Sequence, residues 1–380
     1  MSIQESDHST GTESLNVDLA VRERYSGAAR EREELLCCPV EYNQGYLTRI
    51  PQEIIERDYG CGDPSRHLHP GETVLDLGSG GGKICYIAAQ VVGATGRVIG
   101  VDCNLEMLSL ARKYQQQMAD ELGYANVEFR RGKIEDLQLD LDRLEAELSQ
   151  RPVGDAQAWL EAQELADRLR KDAPLVADNS VDVVVSNCVL NLVSRQRREM
   201  LFAEIFRVLK PGGRAVISDI TCDRPVPQRL QNDPQLWSGC ISGAFCEPEF
   251  LEAFAEAGLV ACQILERSEN PWQQIEEIEF RSMTVAAYKP VPAQSETNVD
   301  VIYRGPWPHV QLEDGLVLTR GERVRLSSTQ AAILGTGGYR NHGILIGSTA
   351  AASAGAPGGE LVELSGFSAD SGCCGGGSCC

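Results

Sequence analysis

Three cysteines lie in sequence contexts that favour a reactive thiol. Cys61 has glycine on both sides, Cys188 follows a strongly apolar run, and Cys240 lies among small residues further along the chain. Sulfur is a soft ligand, so three thiols brought together select a soft, thiophilic ion over the hard ions that carboxylates prefer. The three cysteines are therefore candidate ligands for a soft substrate.

A glycine-rich loop is the second candidate site. Gly78, Gly80 and Gly82 come directly after an apolar run that contains Asp76, and they precede a predicted helix. A dinucleotide fingerprint needs a small residue where Lys83 stands, and a phosphate-binding P-loop needs glycine at 77 and Ser or Thr at 84. Both nucleotide patterns fail, which favours a ligand without phosphate.

Acidic and polar residues follow the neighbouring runs in a recognisable order. Asp102 ends the second run, where its carboxylate can accept both hydroxyls of a ribose, and Asn187 ends the fourth. Asp76 can organise the region around an ammonium group, and the glycines let the backbone approach an amino-acid moiety. This order resembles the class I methyltransferases that use S-adenosylmethionine, and the resemblance implies that cofactor.

Parallel strands must position these residues. Five short apolar runs alternate with amphipathic stretches, and they read TVLDLG, RVIGVD, NVEFRRG, VDVVVSN and RAVISD. Such alternation predicts βαβ units and a parallel sheet covered on both faces. We therefore expect an α/β fold with a doubly wound, Rossmann-like sheet of the class I methyltransferase kind, in which the loops after the strands share one edge.

The three cysteine contexts together closely resemble the arsenite methyltransferase family. The matching motifs are Tyr-Gly-Cys-Gly at Cys61, Ser-Asn-Cys-Val-x-Asn-Leu at Cys188, and Trp-x-x-Cys-x-x-Gly-Ala at Cys240, over roughly residues 35 to 290. The resemblance implies methyl transfer from S-adenosylmethionine to trivalent arsenic held by these three thiols. The sequence departs from the family pattern at Lys83-Ile84 before Cys85, and at Cys103.

The family pattern also implies a set of cofactor-binding residues and a redox cysteine. Methyl transfer oxidises arsenic, so a thiol must restore the trivalent state, and Cys38 or its neighbour Cys37 is the candidate for that exchange. A thioredoxin-like or glutathione system is the expected reductant. The expected cofactor-binding residues are Tyr59, Asp76, Gly78, Ser79, Gly80, Gly82, Asp102, Cys103, Ile134, Glu135 and Asn187.

Composition shifts divide the chain. We expect a flexible arm over 1–34, the methyltransferase domain over 35–290 with a helical insertion at about 137–178, a small β-containing unit over 298–334, and a flexible Gly/Cys-rich tail over 335–380. Four tail cysteines within eight residues are hypothesised to capture arsenite and pass it on, with an inert end as the alternative. They are Cys373, Cys374, Cys379 and Cys380.

The charge balance limits the partners. A net charge of −20 disfavours nucleic acid and anionic membranes, because binding to both depends on basic side chains. The start of the sequence has no signal-peptide pattern, so we expect a cytoplasmic protein whose 14 cysteines stay mostly free. Of these, Cys85, Cys222, Cys246 and Cys262 are expected to pack as inert small hydrophobes.

Two other functions remain open from the sequence. The chain can be a methyltransferase for a small organic acceptor or another metalloid, with the cysteines merely packed in the core. It can also be a non-enzymatic, thiol-rich arsenic-binding protein, which the tail suggests. Equilibrium binding of S-adenosylmethionine separates the second of these from an enzyme, because a sequestering protein has no use for the cofactor.

Overall fold

The central element of the protein is one large mixed sheet, described here from a computed structural model that covers residues 15–33, 40–292, 298–312 and 314–346. Five neighbouring strands run parallel in the order β3-β2-β1-β4-β5. Strand β9 then pairs antiparallel with β5, and β7 pairs antiparallel with β9. The expected doubly wound methyltransferase sheet is thus confirmed. Its strands are β1 (Thr73–Leu77), β2 (Arg97–Asp102), β3 (Val127–Arg131), β4 (Val181–Asn187), β5 (Leu209–Cys222), β6 (Phe245–Cys246), β7 (Val260–Arg267), β8 (Gln273–Ile275) and β9 (Ile278–Tyr288).

Helices cover both faces of this sheet. Successive strand residues point to opposite faces, so Leu75 and Val184 join one buried apolar cluster while Val74 and Val183 join the other. Across the described residues, no helix combines the length and the apolar character needed to cross a membrane. The helices up to the end of the domain are α1 (Val17–Ala28), α2 (Gln44–Leu47), α3 (Gln52–Glu56), α4 (Lys83–Val92), α5 (Leu105–Lys113), α6 (Gln115–Leu122), α7 (Leu141–Gln150), α8 (Ala156–Asp172), α9 (Arg198–Val208), α10 (Gln228–Gln231), α11 (Pro234–Ser238) and α12 (Glu247–Glu256).

Part of the expected flexible arm is a helix. Asn16 caps α1 by accepting a hydrogen bond from the Leu19 amide, and Ala28 is buried against Met107 of α5. Arg24 of α1 donates to the Gln235 carbonyl in α11 at 2.7 Å. The expectation of an arm without structure is wrong for residues 17–28, because contacts with distant segments order a helix that has little apolar periodicity of its own.

The small C-terminal unit extends past the boundary that we expected. It contains β10 (Val299–Tyr303), β11 (His309–Gln311), β12 (Val317–Thr319), β13 (Arg323–Leu326), α13 (Ser328–Leu334) and β14 (Gly343–Ile346). Strand β10 pairs with β13 on one side and with β14 on the other, both antiparallel. Residues 343–346 therefore belong to a sheet rather than to the expected tail, because β14 satisfies the second edge of β10.

Candidate functional site

The glycine-rich loop joins β1 to α4 through left-handed backbone conformations. The φ values of Gly78, Gly80 and Gly82 are 70°, 51° and 89°, a backbone conformation that residues other than glycine rarely adopt. A Cβ atom at Gly82 would lie 2.8 Å from the Phe129 ring, whereas one at Gly80 would meet nothing within 4 Å. The loop thus needs glycine for its turn, and at Gly80 the backbone faces open space where a ligand can approach.

Asp102 holds this loop from the end of β2. Its carboxylate accepts hydrogen bonds from the Gly80 amide at 2.9 Å and from the Asn104 amide at 2.8 Å. Burial raises the pKa of Asp102 above its usual value, although these backbone donors oppose that shift. The loop and the acid that follows it in the sequence therefore form one unit.

The chemistry of this pocket fits a zwitterionic ligand with hydroxyl groups. The Ser79 hydroxyl is buried and has no hydrogen-bond partner among the described atoms. Burial raises the pKa of Asp76 to about 8. Lys83, the nearest cation in the sequence, is paired with Asp58 at 2.6 Å. The two acidic side chains of the pocket, Asp76 and Asp102, can accept hydrogen bonds from an ammonium group or from hydroxyls, and the charge of its lysine is balanced by Asp58.

The remaining expected cofactor residues surround the loop. Ile134 and Glu135 are buried after β3, and Glu135 forms an ion pair with Arg197 at 2.6 Å. Cys103 is exposed beside Asp102. The Tyr59 hydroxyl accepts a hydrogen bond from the Glu33 amide at 2.8 Å. Their cofactor roles stay predictions.

Asn187 ends β4, as expected, and its side chain contacts the Cys61 segment. Its side-chain oxygen accepts hydrogen bonds from the amides of Cys61 and Gly62, at 2.9 and 3.1 Å. Its side-chain nitrogen donates to the Gly62 carbonyl at 2.7 Å and to the Tyr42 hydroxyl at 3.2 Å. The Asn187 side chain therefore holds the Cys61 segment, and its cofactor role stays a prediction.

Cys188 forms the centre of the thiol site. Its backbone is left-handed, with φ of 63°, and its amide donates to the Ser218 carbonyl at 2.8 Å. The Cys188 sulfur, the Cys61 sulfur and a carboxylate oxygen of Asp219 all lie within 4.8 Å of one another. Two of the three expected ligands are thus adjacent, although 127 positions separate them in the sequence.

Cys240 completes the group from the other side. It also has a left-handed backbone, with φ of 61°. Its thiol donates a hydrogen bond to the Cys188 carbonyl at 3.0 Å, and its own carbonyl accepts one from the Asn191 side chain at 3.3 Å. The structure therefore brings Cys61, Cys188 and Cys240 to one place at the carboxyl ends of β4 and β5.

Two thiols of this site favour the protonated state. The pKa of Cys240 is raised well above its usual value by its contact with Cys188 and by burial. Contact with Cys240 lowers the pKa of Cys188, but contact with Cys61 and burial outweigh that effect and leave it raised. Neutral thiols at Cys188 and Cys240 suit condensation with a neutral hydroxide of a soft element.

Two residues of the thiol site, Asp219 and Tyr25, were missed from the sequence. Asp219 is fully buried in β5, where it accepts hydrogen bonds from the Leu190 amide at 2.9 Å and from the Asn191 side chain at 2.8 Å. Tyr25 of α1 makes a side-chain hydrogen bond with Cys240. An acid inside an apolar strand was a readable signal for Asp219, whereas no sequence signal placed Tyr25 there.

The cofactor loop and the thiol site are in direct contact. A Cβ atom at Gly78 would lie 2.4 Å from a methyl group of Val189, the residue after Cys188. Glycine at position 78 is therefore required both by its positive φ and by this close approach. The cofactor loop and the segment that carries Cys188 are therefore neighbours.

Six expected residues lie outside the described part of the chain. The redox candidates Cys37 and Cys38 fall in the gap at 34–39, and the tail cysteines follow residue 346. Their roles stay predictions. The tail cysteines are Cys373, Cys374, Cys379 and Cys380.

Two family matches cover most of the sequence. A methyltransferase domain family matches residues 68–149 and 153–278. A domain of unknown function matches residues 291–358, the region that contains the small C-terminal unit.

The chain is similar to arsenite methyltransferases from bacteria, an alga and humans. The arsenite methyltransferase of Aquipseudomonas alcaligenes is 34% identical over 271 residues, which cover 69% of this chain and 68% of that protein. The human arsenite methyltransferase is 27% identical over 300 residues, which cover 76% and 70%. The crystal structure of an arsenic(III) S-adenosylmethionine methyltransferase from Chlamydomonas reinhardtii is similar, with a TM-score of 0.54, 28% identity, and coverage of 83% of this chain and 98% of that one.

Proposed function

Because this chain belongs to the arsenite methyltransferase family, we propose that it transfers methyl groups from S-adenosylmethionine to trivalent arsenic bound by Cys61, Cys188 and Cys240. The observation that carries this proposal is the contact between Gly78 and Val189, because it makes the cofactor loop and the thiol site neighbours. A thiol cluster remote from the loop would support arsenic binding alone.

The binding step balances without any ionised sulfur. Arsenite at neutral pH is As(OH)₃, and three thiols condense with it to give As(SR)₃ and three waters. Each thiol proton leaves with one arsenic-bound hydroxide. The raised pKa values of Cys188 and Cys240 are therefore compatible with substrate capture.

The geometry of the bound arsenic makes transfer mostly a matter of positioning. Three sulfur ligands leave arsenic one lone pair, which is the nucleophile, so the protein needs no general base. When bound, the cofactor supplies a methyl group on a positively charged sulfur. Asp102, the loop amides and the Ser79 hydroxyl would hold its polar groups, and the hydrogen bonds of Asn187 and Asn191 keep the cysteine segments in register.

Restoring trivalent arsenic requires a reductant. We assign the exchange to Cys38, or its neighbour Cys37, with a thioredoxin-like protein or glutathione as the external donor. A cytoplasmic location accords with this, because that compartment keeps thiols reduced.

The test uses the full chain with arsenite, S-adenosylmethionine and a thiol, and follows the arsenic species over time. We expect methylated arsenicals to appear, with one S-adenosylhomocysteine formed for each methyl group transferred to arsenic. S-adenosylhomocysteine formed with an organic acceptor but never with arsenite would reject the arsenic substrate. Absence of any methyl transfer would reject the enzyme.

A further inference from the structure

A second pair of cysteines lies outside the three-thiol site. Cys222 ends β5 and Cys246 ends β6, and the parallel pairing of these strands places the two residues opposite each other. Their sulfurs are 3.8 Å apart, with the Cys222 thiol donating to Cys246. Nothing in the arsenic-binding step uses either residue.

The positions of this pair suit a disulfide. Neighbouring strands lie about 4.8 Å apart, which falls within the Cα separation of about 4.4–6.8 Å that a disulfide spans. The Cys222 sulfur also contacts the backbone carbonyl of Phe245 at 3.3 Å. A disulfide adds no atom between the two sulfurs, whereas a bridging arsenic would need space beside that carbonyl.

The surroundings keep both thiols protonated, and they expose the two thiols to solvent unequally. Cys222 is 1% exposed, whereas Cys246 is partly exposed at the start of α12. Burial raises the pKa of both thiols. The pair therefore carries two electrons together with two protons, and external reagents reach it through Cys246.

The pair also lies in the same apolar cluster as the arsenic ligands. This cluster contains five of the eight described cysteines, and they are Cys61, Cys188, Cys222, Cys240 and Cys246. Arsenic chemistry and an unused dithiol thus share one region at the carboxyl ends of β5 and its neighbours.

We propose that Cys222 and Cys246 are a second redox pair, beside the exchange assigned to Cys38 or Cys37, and that this pair supplies electrons to the pentavalent methylated arsenic formed in the proposed reaction. The two S–H bonds break and one S–S bond forms. The two electrons reduce CH₃AsO(OH)₂ to CH₃As(OH)₂, and the two protons leave as water with the arsenyl oxygen. An external thiol then attacks Cys246 to give a mixed disulfide and the free Cys222 thiol, and a second external thiol attacks the mixed disulfide, which restores the dithiol and leaves the two external thiols as a disulfide. This inference rests on the proposed function.

The experiment compares the parent with Cys222→Ser and Cys246→Ser, and uses Cys262→Ser as the matched control. Cys262 is partly buried, and its thiol lies 3.9 Å from the Leu251 carbonyl, away from the pair. Each full-length protein is reduced, freed of small thiols, and given arsenite and excess S-adenosylmethionine without oxygen. Free thiols are then alkylated, disulfides are mapped by mass spectrometry, and arsenic species are quantified.

In the parent and in Cys262→Ser, we expect a Cys222–Cys246 disulfide to accumulate in proportion to the pentavalent arsenic that is reduced. Both pair variants should retain more pentavalent monomethyl arsenic and make less dimethylated product. Added thiol should bring them towards the parent, because it replaces the missing electrons. Unmodified, fully alkylated Cys222 and Cys246 after turnover would overturn the proposal, as would pair variants with the parental product distribution.

A second measurement separates this failure from failure of the proposed function. The parent is equilibrated in glutathione buffers of increasing oxidised fraction, without arsenic, and the same disulfide is mapped. Its formation supports the redox pair even if no arsenic is methylated. Its absence across the series overturns the redox pair whatever the substrate is.

Discussion

The two halves of the site are built from contacts of very different range. The cofactor half uses a continuous loop and Asp102, which accepts a hydrogen bond from Gly80. The thiol half collects Cys61, Cys188 and Cys240 from three distant segments, joined by hydrogen bonds of the Asn187 and Asn191 side chains. The first half depends on local backbone conformation, and the second depends on side-chain amides that connect segments far apart in the sequence.

The largest expected effect comes from Cys188→Ser in the thiol half. A hydroxyl is a hard, protonated and poor ligand for arsenic, so methylation of every arsenic species should be abolished. Equilibrium binding of S-adenosylmethionine should stay unchanged, and Cys262→Ser should methylate at the parental rate. Parental methylation by Cys188→Ser would show that the ligand assignment is wrong.

The second largest effect should come from Asp102→Ala in the cofactor half, which should weaken binding of the cofactor and leave the thiols intact. Asp102→Ala removes an acceptor whose charge-assisted hydrogen bonds contribute about 1.5–3 kcal/mol each. The dissociation constant for S-adenosylmethionine should rise at least about tenfold, which corresponds to 1.4 kcal/mol. Calorimetry measures this change, and binding of arsenite to the thiols serves as the internal control. An unchanged dissociation constant would place the ribose elsewhere.

A smaller effect should come from an asparagine side chain that joins two segments far apart in the sequence. Asn187→Ala removes hydrogen bonds to the Cys61 segment, each contributing about 1 kcal/mol to the free energy of unfolding. The Michaelis constant for arsenite should rise several-fold, with little change in S-adenosylmethionine binding.

Asn126→Ala is the control, since its side chain donates to the carbonyls of Ala89 and Gly93 away from the thiols. It should lose stability without a change in the Michaelis constant for arsenite. Equal kinetic effects in the two variants would mean that Asn187 does not position Cys61.

The smallest effect concerns pH and the cofactor half. Burial raises the pKa of Asp76 from 3.8 to about 8 in the folded protein. Between these values the folded state binds more protons than the unfolded state, so this group lowers the free energy of unfolding as pH rises. Asp76→Asn cannot titrate, so its stability relative to the parent should increase over that window. Denaturation curves at several pH values test this, and parallel pH profiles would contradict the raised pKa.

Local patterns carried most of what could be predicted. The glycine loop follows from its own sequence, and parallel strands place the segments after them at one edge, which brings Cys188 and Cys240 together. Helix α1 could not be predicted, because its order comes from contacts such as Arg24 with α11. The contacts of Asn187 with the Cys61 segment could not be predicted for a related reason, since these partners are more than 120 residues away.

The left-handed conformations of Cys188 and Cys240 bear on why cysteine stands at these two positions. A side chain in this conformation costs about 1 kcal/mol or more, and glycine carries no such cost. A mutation to glycine at either position would relax the backbone while deleting a thiol. Backbone conformation alone therefore favours glycine at both positions, so the presence of cysteine there is explained by its thiol and not by the turn.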